Sequence, residues 1–214
     1  MSEMKFYDRT EAGMLLAKEL TFEPNEDVVV IALPRGGVPV GAEIAKALHV
    51  PLDMVITWKI GAPDNPEYAI GAIAENAEPF LNLHETNVLS EEWLTQEVAR
   101  GRKEIERRQE MYFENHARQS IKGKTVILVD DGIATGYTIM AAIAEIQRQQ
   151  PKKLILAVPV IPKEMVLQLR TKVDEIVALK IPDFYLGAVG AYYEEFHQLS
   201  DMEVRQLVYE SRPY

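Results

Sequence analysis

A chain of 214 residues, 47% hydrophobic and 26% charged, is long enough to bury one substantial core and is too apolar for a disordered segment. With no cysteine there is neither a disulfide framework nor a thiolate metal site, and a formal net charge of −10 opposes non-specific attraction to nucleic acid. No stretch reads as a bilayer span and Met1 to Asp8 lacks an apolar signal core, so a soluble cytoplasmic protein without membrane or nucleic-acid partners is expected.

In chain order, a helix over residues 8–20 precedes an apolar strand at 28–33. Pro34, Arg35, Gly36 and Gly37 then turn the chain into a helix over 38–48, where Pro39 suits the first turn and Val40, Ile44, Ala47 and Leu48 form one stripe. Without side chains, Gly36 and Gly37 let backbone donors approach an anion, and Arg35 adds a permanent forked cation. A strand over 52–58 gives way to a Gly/Pro/Asn-rich stretch at 59–72, expected to be a mobile cover, and a strand follows at 70–74. Residues 85–118 form a Glu/Arg/Gln-rich helical insertion, with Ser90 as N-cap, Glu91 and Glu92 in the first turn, and a helix running to about His116. Its interspersed acids favour a solvated helix over one that aims arginines at a phosphate or a partner subunit.

The segment from Val126 to Thr138 carries the most chemistry. Apolar residues at 125–129 read as a buried parallel strand, and Asp130 and Asp131 stand at its carboxyl end. Gly132, Ile133, Ala134, Thr135, Gly136, Tyr137 and Thr138 lead into a helix over 138–149, whose Ile139, Ala142, Ile143 and Ile146 share one face. Backbone donors at such a helix start favour a phosphate, which leaves the carboxylates for hydroxyl groups. Strands at 153–158 and 175–179 and helices at 163–171 and 200–211 complete the alternation. The expected fold is α/β, one domain over 1–214, with a mostly parallel central sheet flanked by helices. There is no Gly-x-x-x-x-Gly-Lys-Ser/Thr, no Gly-x-Ser-x-Gly and no zinc-type histidine spacing, because His49, His84, His116 and His197 are scattered.

The strand, acid pair and Thr135-Gly136-Tyr137-Thr138 turn resemble the ribose-phosphate signature of type I phosphoribosyltransferases, and Arg35-Gly36-Gly37 resembles that family's pyrophosphate loop. The resemblance implies the type I fold and binding of 5-phosphoribosyl-1-pyrophosphate (PRPP). Asp130 and Asp131 would take the ribose 2' and 3' hydroxyls, and Gly132, Ala134, Thr135, Gly136, Tyr137 and Thr138 the 5'-phosphate. Pro34, Arg35, Gly36 and Gly37 would take the pyrophosphate, with a cis peptide at Pro34-Arg35 or Arg35-Gly36. Lys59 stands where many members place a cation near the pyrophosphate, so the expected catalytic set is Asp130, Asp131, Arg35 and Lys59. Mg2+ would arrive on the substrate, with no direct protein ligand or through Asp130 and Asp131. Residues 180–198 look like the base-binding hood, with Phe184 or Tyr185 stacking on the acceptor.

Departures from the purine branch leave the acceptor unidentified. Ala134 stands where that branch has an Asp that reads the base, the Lys that the branch places near Pro159 to read a 6-oxo group is missing, and the usual Ser-Tyr pair is absent after Lys59. The Lys59 to Ala72 pattern instead resembles a little-characterised bacterial branch of the family. The expected activity is transfer of the phosphoribosyl group from Mg-PRPP to a nitrogen nucleophile, with a noncatalytic PRPP-sensing regulatory protein as the alternative. A homo-oligomer remains open.

Overall fold

The computed structural model describes residues 5–114 and 118–211. His116, the expected end of the insertion helix, lies outside them, as do Met1 to Met4. The elements run α1 Arg9–Glu19, β1 Val28–Ala32, α2 Gly37–Leu48, β2 Leu52–Met54, β3 Thr57–Ala62, β4 Asn65–Ala74, β5 Phe80–Leu81, α3 Leu83–Thr86, α4 Glu91–Phe113 and β6 Thr125–Val129. They continue with α5 Tyr137–Arg148, β7 Lys153–Val160, α6 Lys163–Leu169, β8 Glu175–Lys180, a 3-10 turn Val189–Tyr192 and α7 Asp201–Glu210. Two compact units make up the chain: residues 1–54, 119–134 and 150–214, and residues 55–118 and 135–149.

The first unit holds a five-stranded parallel sheet in the order β2-β1-β6-β7-β8, with α2 packed on β1 and α1 on α2. Every residue of β1 and β6 is buried, which is why both read as continuous apolar runs instead of alternating ones. Helix starts follow local chemistry. Asp8 accepts from Glu11 N at 2.8 Å to cap α1, and Ser200 with Glu203 closes a reciprocal capping box at α7.

The second unit is built on an antiparallel sheet β3-β4-β5 with α4 and α5. Two expectations change here. The predicted strand at 52–58 is two strands, β2 in the parallel sheet and β3 in the antiparallel one; the change of partner falls at Val55 and Ile56, neither of which is a turn residue. Residues 59–72, expected as a loop, form most of the β3–β4 hairpin. Its breaker residues mark a turn at Pro63 and Asp64 and a register shift at Gly61, where an added Cβ would lie 2.7 Å from Pro66 Cα.

The bend after β4 is held from both sides of its backbone. Glu145 of α5, only 3% exposed, accepts from Asn76 N and Ala77 N, each at 2.7 Å. Arg102 of α4 donates to the carbonyls of Ala74, Glu75 and Ala77 at 2.5 to 2.6 Å. Other insertion arginines meet acids, Arg100 at Glu97 and Arg107 and Arg108 at Glu104. The solvated-helix expectation therefore describes the outer face of α4 and misses Arg102. Glu145→Ala should strand two amide donors at about 1–3 kcal/mol each. Urea unfolding is expected to register a loss of roughly 2–5 kcal/mol, against little change for a surface control such as Glu106→Ala.

Candidate functional site

The candidate site grows from two adjacent strand ends. β1 and β6 pair in register, Ala32 against Val129, and Leu33 N extends the ladder by donating to Val129 O at 2.9 Å. From β1 the sheet continues to β2 on one side, and from β6 to β7 on the other. Such a reversal of strand order opens a crevice at the carboxyl ends, the usual ligand position in parallel sheets. The Pro34 to Gly37 turn and the Asp130-Asp131 pair both leave the sheet there, and the Pro34–Arg35 bond is cis, one of the two expected positions.

These two segments touch so closely that side chains are excluded. A Cβ on Gly37 would lie 2.7 Å from Val129 O and 2.9 Å from Asp130 Cα. A Cβ on Gly36 would lie 2.5 Å from Asp131 Cγ and closer still to its Oδ2. The glycines are thus needed for approach to the acid pair. Gly132, at φ 155°, sits beneath Val189 and Val160, whose methyls would be 2.6 and 2.8 Å from an added Cβ.

The acids are electrostatically stressed. Burial, then the neighbouring charge of Asp131, pushes the Asp130 carboxyl well above its ordinary range. Burial also raises Asp131, opposed by the guanidinium of Arg9. Asp131 N donates to Asp130 Oδ1 at 2.8 Å, while Arg9 Nε donates to Asp131 Oδ2 at 2.8 Å. Arg9 Nη1 donates to His197 O at 2.9 Å, and its guanidinium lies 3.8 Å over the Phe196 ring. Tyr193 donates its hydroxyl to Asp131 O at 2.6 Å; burial, then the Asp131 charge, raises that phenol and keeps it a donor. Arg9 also lines a cavity of about 310 Å3 with Pro39, Leu199, Glu203 and Leu207.

Arg9 and Tyr193 were not among the expected site residues. A signal existed for Arg9, because positions 9, 12, 13, 16 and 17 form the buried stripe of α1 and an arginine there needs a partner. Tyr193 offered none beyond its place in an aromatic run.

Other expected residues fall as follows. Arg35 lies 3.9 Å from Asp201 at the start of α7. Ala134 and Thr135 are exposed, and Gly136, at φ 75° and ψ 0°, ends the turn as the cap of α5, followed by Tyr137 and Thr138 in its first turn. Tyr137 Oη accepts from Asn82 Nδ2 at 3.0 Å. Lys59 belongs to the second unit, where its Nζ meets Glu67 Oε2 at 3.5 Å across the hairpin. In the expected hood, Phe184 is 90% exposed, whereas Tyr185 stacks on Tyr192 at 5.5 Å. The Tyr185 hydroxyl, buried and without a partner among the described residues, is pushed up to about 12 by burial and then by Tyr192 and Asp131. Among the described residues no three His, Asp or Glu side chains converge to hold a metal, and no helix is long and apolar enough to cross a membrane.

Residues 7–195 match the profile of the phosphoribosyl transferase domain. The chain belongs to the phosphoribosyltransferase family. Two strains of Mycobacterium tuberculosis, CDC 1551 and H37Rv, each carry a protein named as a candidate phosphoribosyl transferase that is 38% identical over 201 residues. Those matches cover 93% of this chain and 45% of theirs, so the chain spans about half the length of these relatives. The crystal structure of TT1426 from Thermus thermophilus superposes with a TM-score of 0.81 at 39% identity, covering 98% of this chain and all of that one (100%). The mixed α/β architecture with its parallel five-stranded sheet is the expected fold of the family.

Proposed function

We propose that this phosphoribosyltransferase binds Mg-PRPP and transfers its 5-phosphoribosyl group to a nitrogen nucleophile. A bond forms between that nitrogen and C1' as the C1'–oxygen bond breaks; the electron pair leaves with pyrophosphate and the nitrogen's proton passes to solvent. The observation that carries this reading is the contact of Gly36 and Gly37 with the acid pair at adjacent strand ends, since one ligand must present a diphosphate and a diol side by side to use both. Arg35 and the turn's backbone donors stabilise the leaving group, Asp130 and Asp131 hold the ribose hydroxyls, and the following Thr135 to Thr138 turn takes the 5'-phosphate. Phe184 or Tyr185 would stack on the acceptor; the 90% exposure of Phe184 favours it over Tyr185, which already stacks on Tyr192.

Mg2+ fits this donor set as a substrate-borne ion. It is a hard cation that accepts one or two carboxylates while keeping water and phosphate oxygens, and Asp130 and Asp131 are the carboxylates at hand. Its chemistry would be charge neutralisation on the pyrophosphate.

The test is purified protein with Mg-PRPP, followed by calorimetry for binding and by pyrophosphate release with a panel of nucleobases and amines. Saturable binding and release with at least one acceptor are expected. Binding without release for every acceptor would support the PRPP sensor in place of the enzyme, and no binding would refute both.

A further inference from the structure

We infer that Arg9 is the positioning residue for Asp131, and that the C-terminal aromatic segment serves as its anchor; this rests on the PRPP reading of the acid pair. Arg9 engages Asp131 through Oδ2 alone, by Nε at 2.8 Å, which leaves Oδ1 uncommitted to the guanidinium. The rest of its recorded contacts are with the C-terminal segment. Nη1 is tied to His197 O at 2.9 Å and the guanidinium plane is covered by Phe196, itself stacked on Tyr193 at 4.9 Å. Tyr193 closes the arrangement by holding the backbone carbonyl of Asp131. The carboxylate is therefore fixed by charge through Arg9, along the backbone through Tyr193 and sterically at Gly36.

A buried ion pair is a poor device for stability, because desolvating both partners offsets much of their attraction and an apolar pair of similar volume often serves as well. The Arg9 and Asp131 side chains are only 10% and 14% exposed, so this pair has little of the water that would make it an ordinary surface contact. Its distinctive yield is orientation. A planar guanidinium anchored at His197 O and under the Phe196 ring fixes where the Oδ2 it binds must lie, and a flexible ammonium does so less well. Residues 193–197 thus act on the ribose end of the ligand through Arg9, a duty separate from that of the base-facing residues of the hood.

Two probes separate this role from a merely structural one: ribose 5-phosphate, which needs the acid pair, and inorganic pyrophosphate, which needs the Arg35 turn. Both are titrated calorimetrically in Mg2+ buffer. Arg9→Met should weaken ribose 5-phosphate by about 10- to 100-fold, the range seen when a partner that orients a liganding group is removed. Pyrophosphate affinity should stay within about twofold, and Arg9→Lys should recover part of the loss. Phe196→Leu keeps the ion pair and removes the stacked ring; it should give a smaller loss with the same selectivity, and serves if Arg9→Met fails to fold. Equal weakening of both probes, or unchanged ribose 5-phosphate affinity in either variant, would overturn the assignment. Wild-type protein that binds neither probe would refute the PRPP reading itself and Arg9's role with it.

Discussion

Gly36→Val is expected to weaken ribose 5-phosphate binding by roughly 100-fold while leaving the chain folded. The backbone at Gly36 is an ordinary right-handed helical conformation, φ −62° and ψ −35°, so a larger residue meets no conformational objection. The objection is purely spatial. Any Cβ there enters the Asp131 carboxylate, and because Arg9 and Tyr193 hold Asp131 from other directions, relief requires moving the acid or the turn. Displacing a ligand-holding group by about 1 Å can cost roughly 100-fold, and overpacking should lower stability by about 1–3 kcal/mol. Calorimetric titration and urea unfolding read the two effects separately. A variant that binds ribose 5-phosphate as wild type does would show that the acid pair is not where the ligand sits.

Asp130→Asn should do the opposite to stability, raising it at neutral pH while ligand binding is lost. Burial and the charge on Asp131 raise the folded-state pKa of Asp130 above its ordinary 3.8, so the folded state holds the proton more tightly than the unfolded chain does. Stability of the wild type therefore falls as pH rises from about 3.8 through the elevated folded value, and stays reduced above it. An uncharged Asn avoids that penalty and can still accept from Asp131 N through its Oδ1. Each unit of elevation corresponds to about 1.4 kcal/mol, and each kcal/mol to about 2–4 °C in a chain of this size. Melting curves should diverge above the acid range and converge below pH 3.8, where wild-type Asp130 is protonated in both states. Lower melting of Asp130→Asn at neutral pH would show that the carboxylate is not strained.

The parts of this site that rest on local chemistry were legible in the chain. Continuous apolar runs announced β1 and β6, and paired glycines and paired acids just after them announced the two turns. What stayed hidden depended on partners distant in sequence. Nothing in Val55 and Ile56 signals that the chain leaves a parallel sheet after Met54 and enters an antiparallel one at Thr57. Proline, glycine and asparagine between Lys59 and Ala72 suggested a loop because those residues favour turns, yet only the hairpin tip and the Gly61 irregularity needed them. Glu145 and Arg102 looked like ordinary helix charges, since burial against the 74–77 backbone cannot be read from i, i+4 spacing. Arg9 was the readable exception, an arginine on the apolar stripe of its helix.

The in-register pairing of β1 with β6 also determines what could be transplanted. Because Leu33 borrows the carbonyl of Val129 and the two glycines fit against Asp130 and Asp131, neither turn has a shape of its own that would survive in another scaffold. A loop graft of residues 33–37 would arrive without the surface that moulds it. The smallest portable form of this ligand cradle is a pair of neighbouring strands carrying both their carboxyl ends, and a recipient sheet would have to accept them at the same stagger.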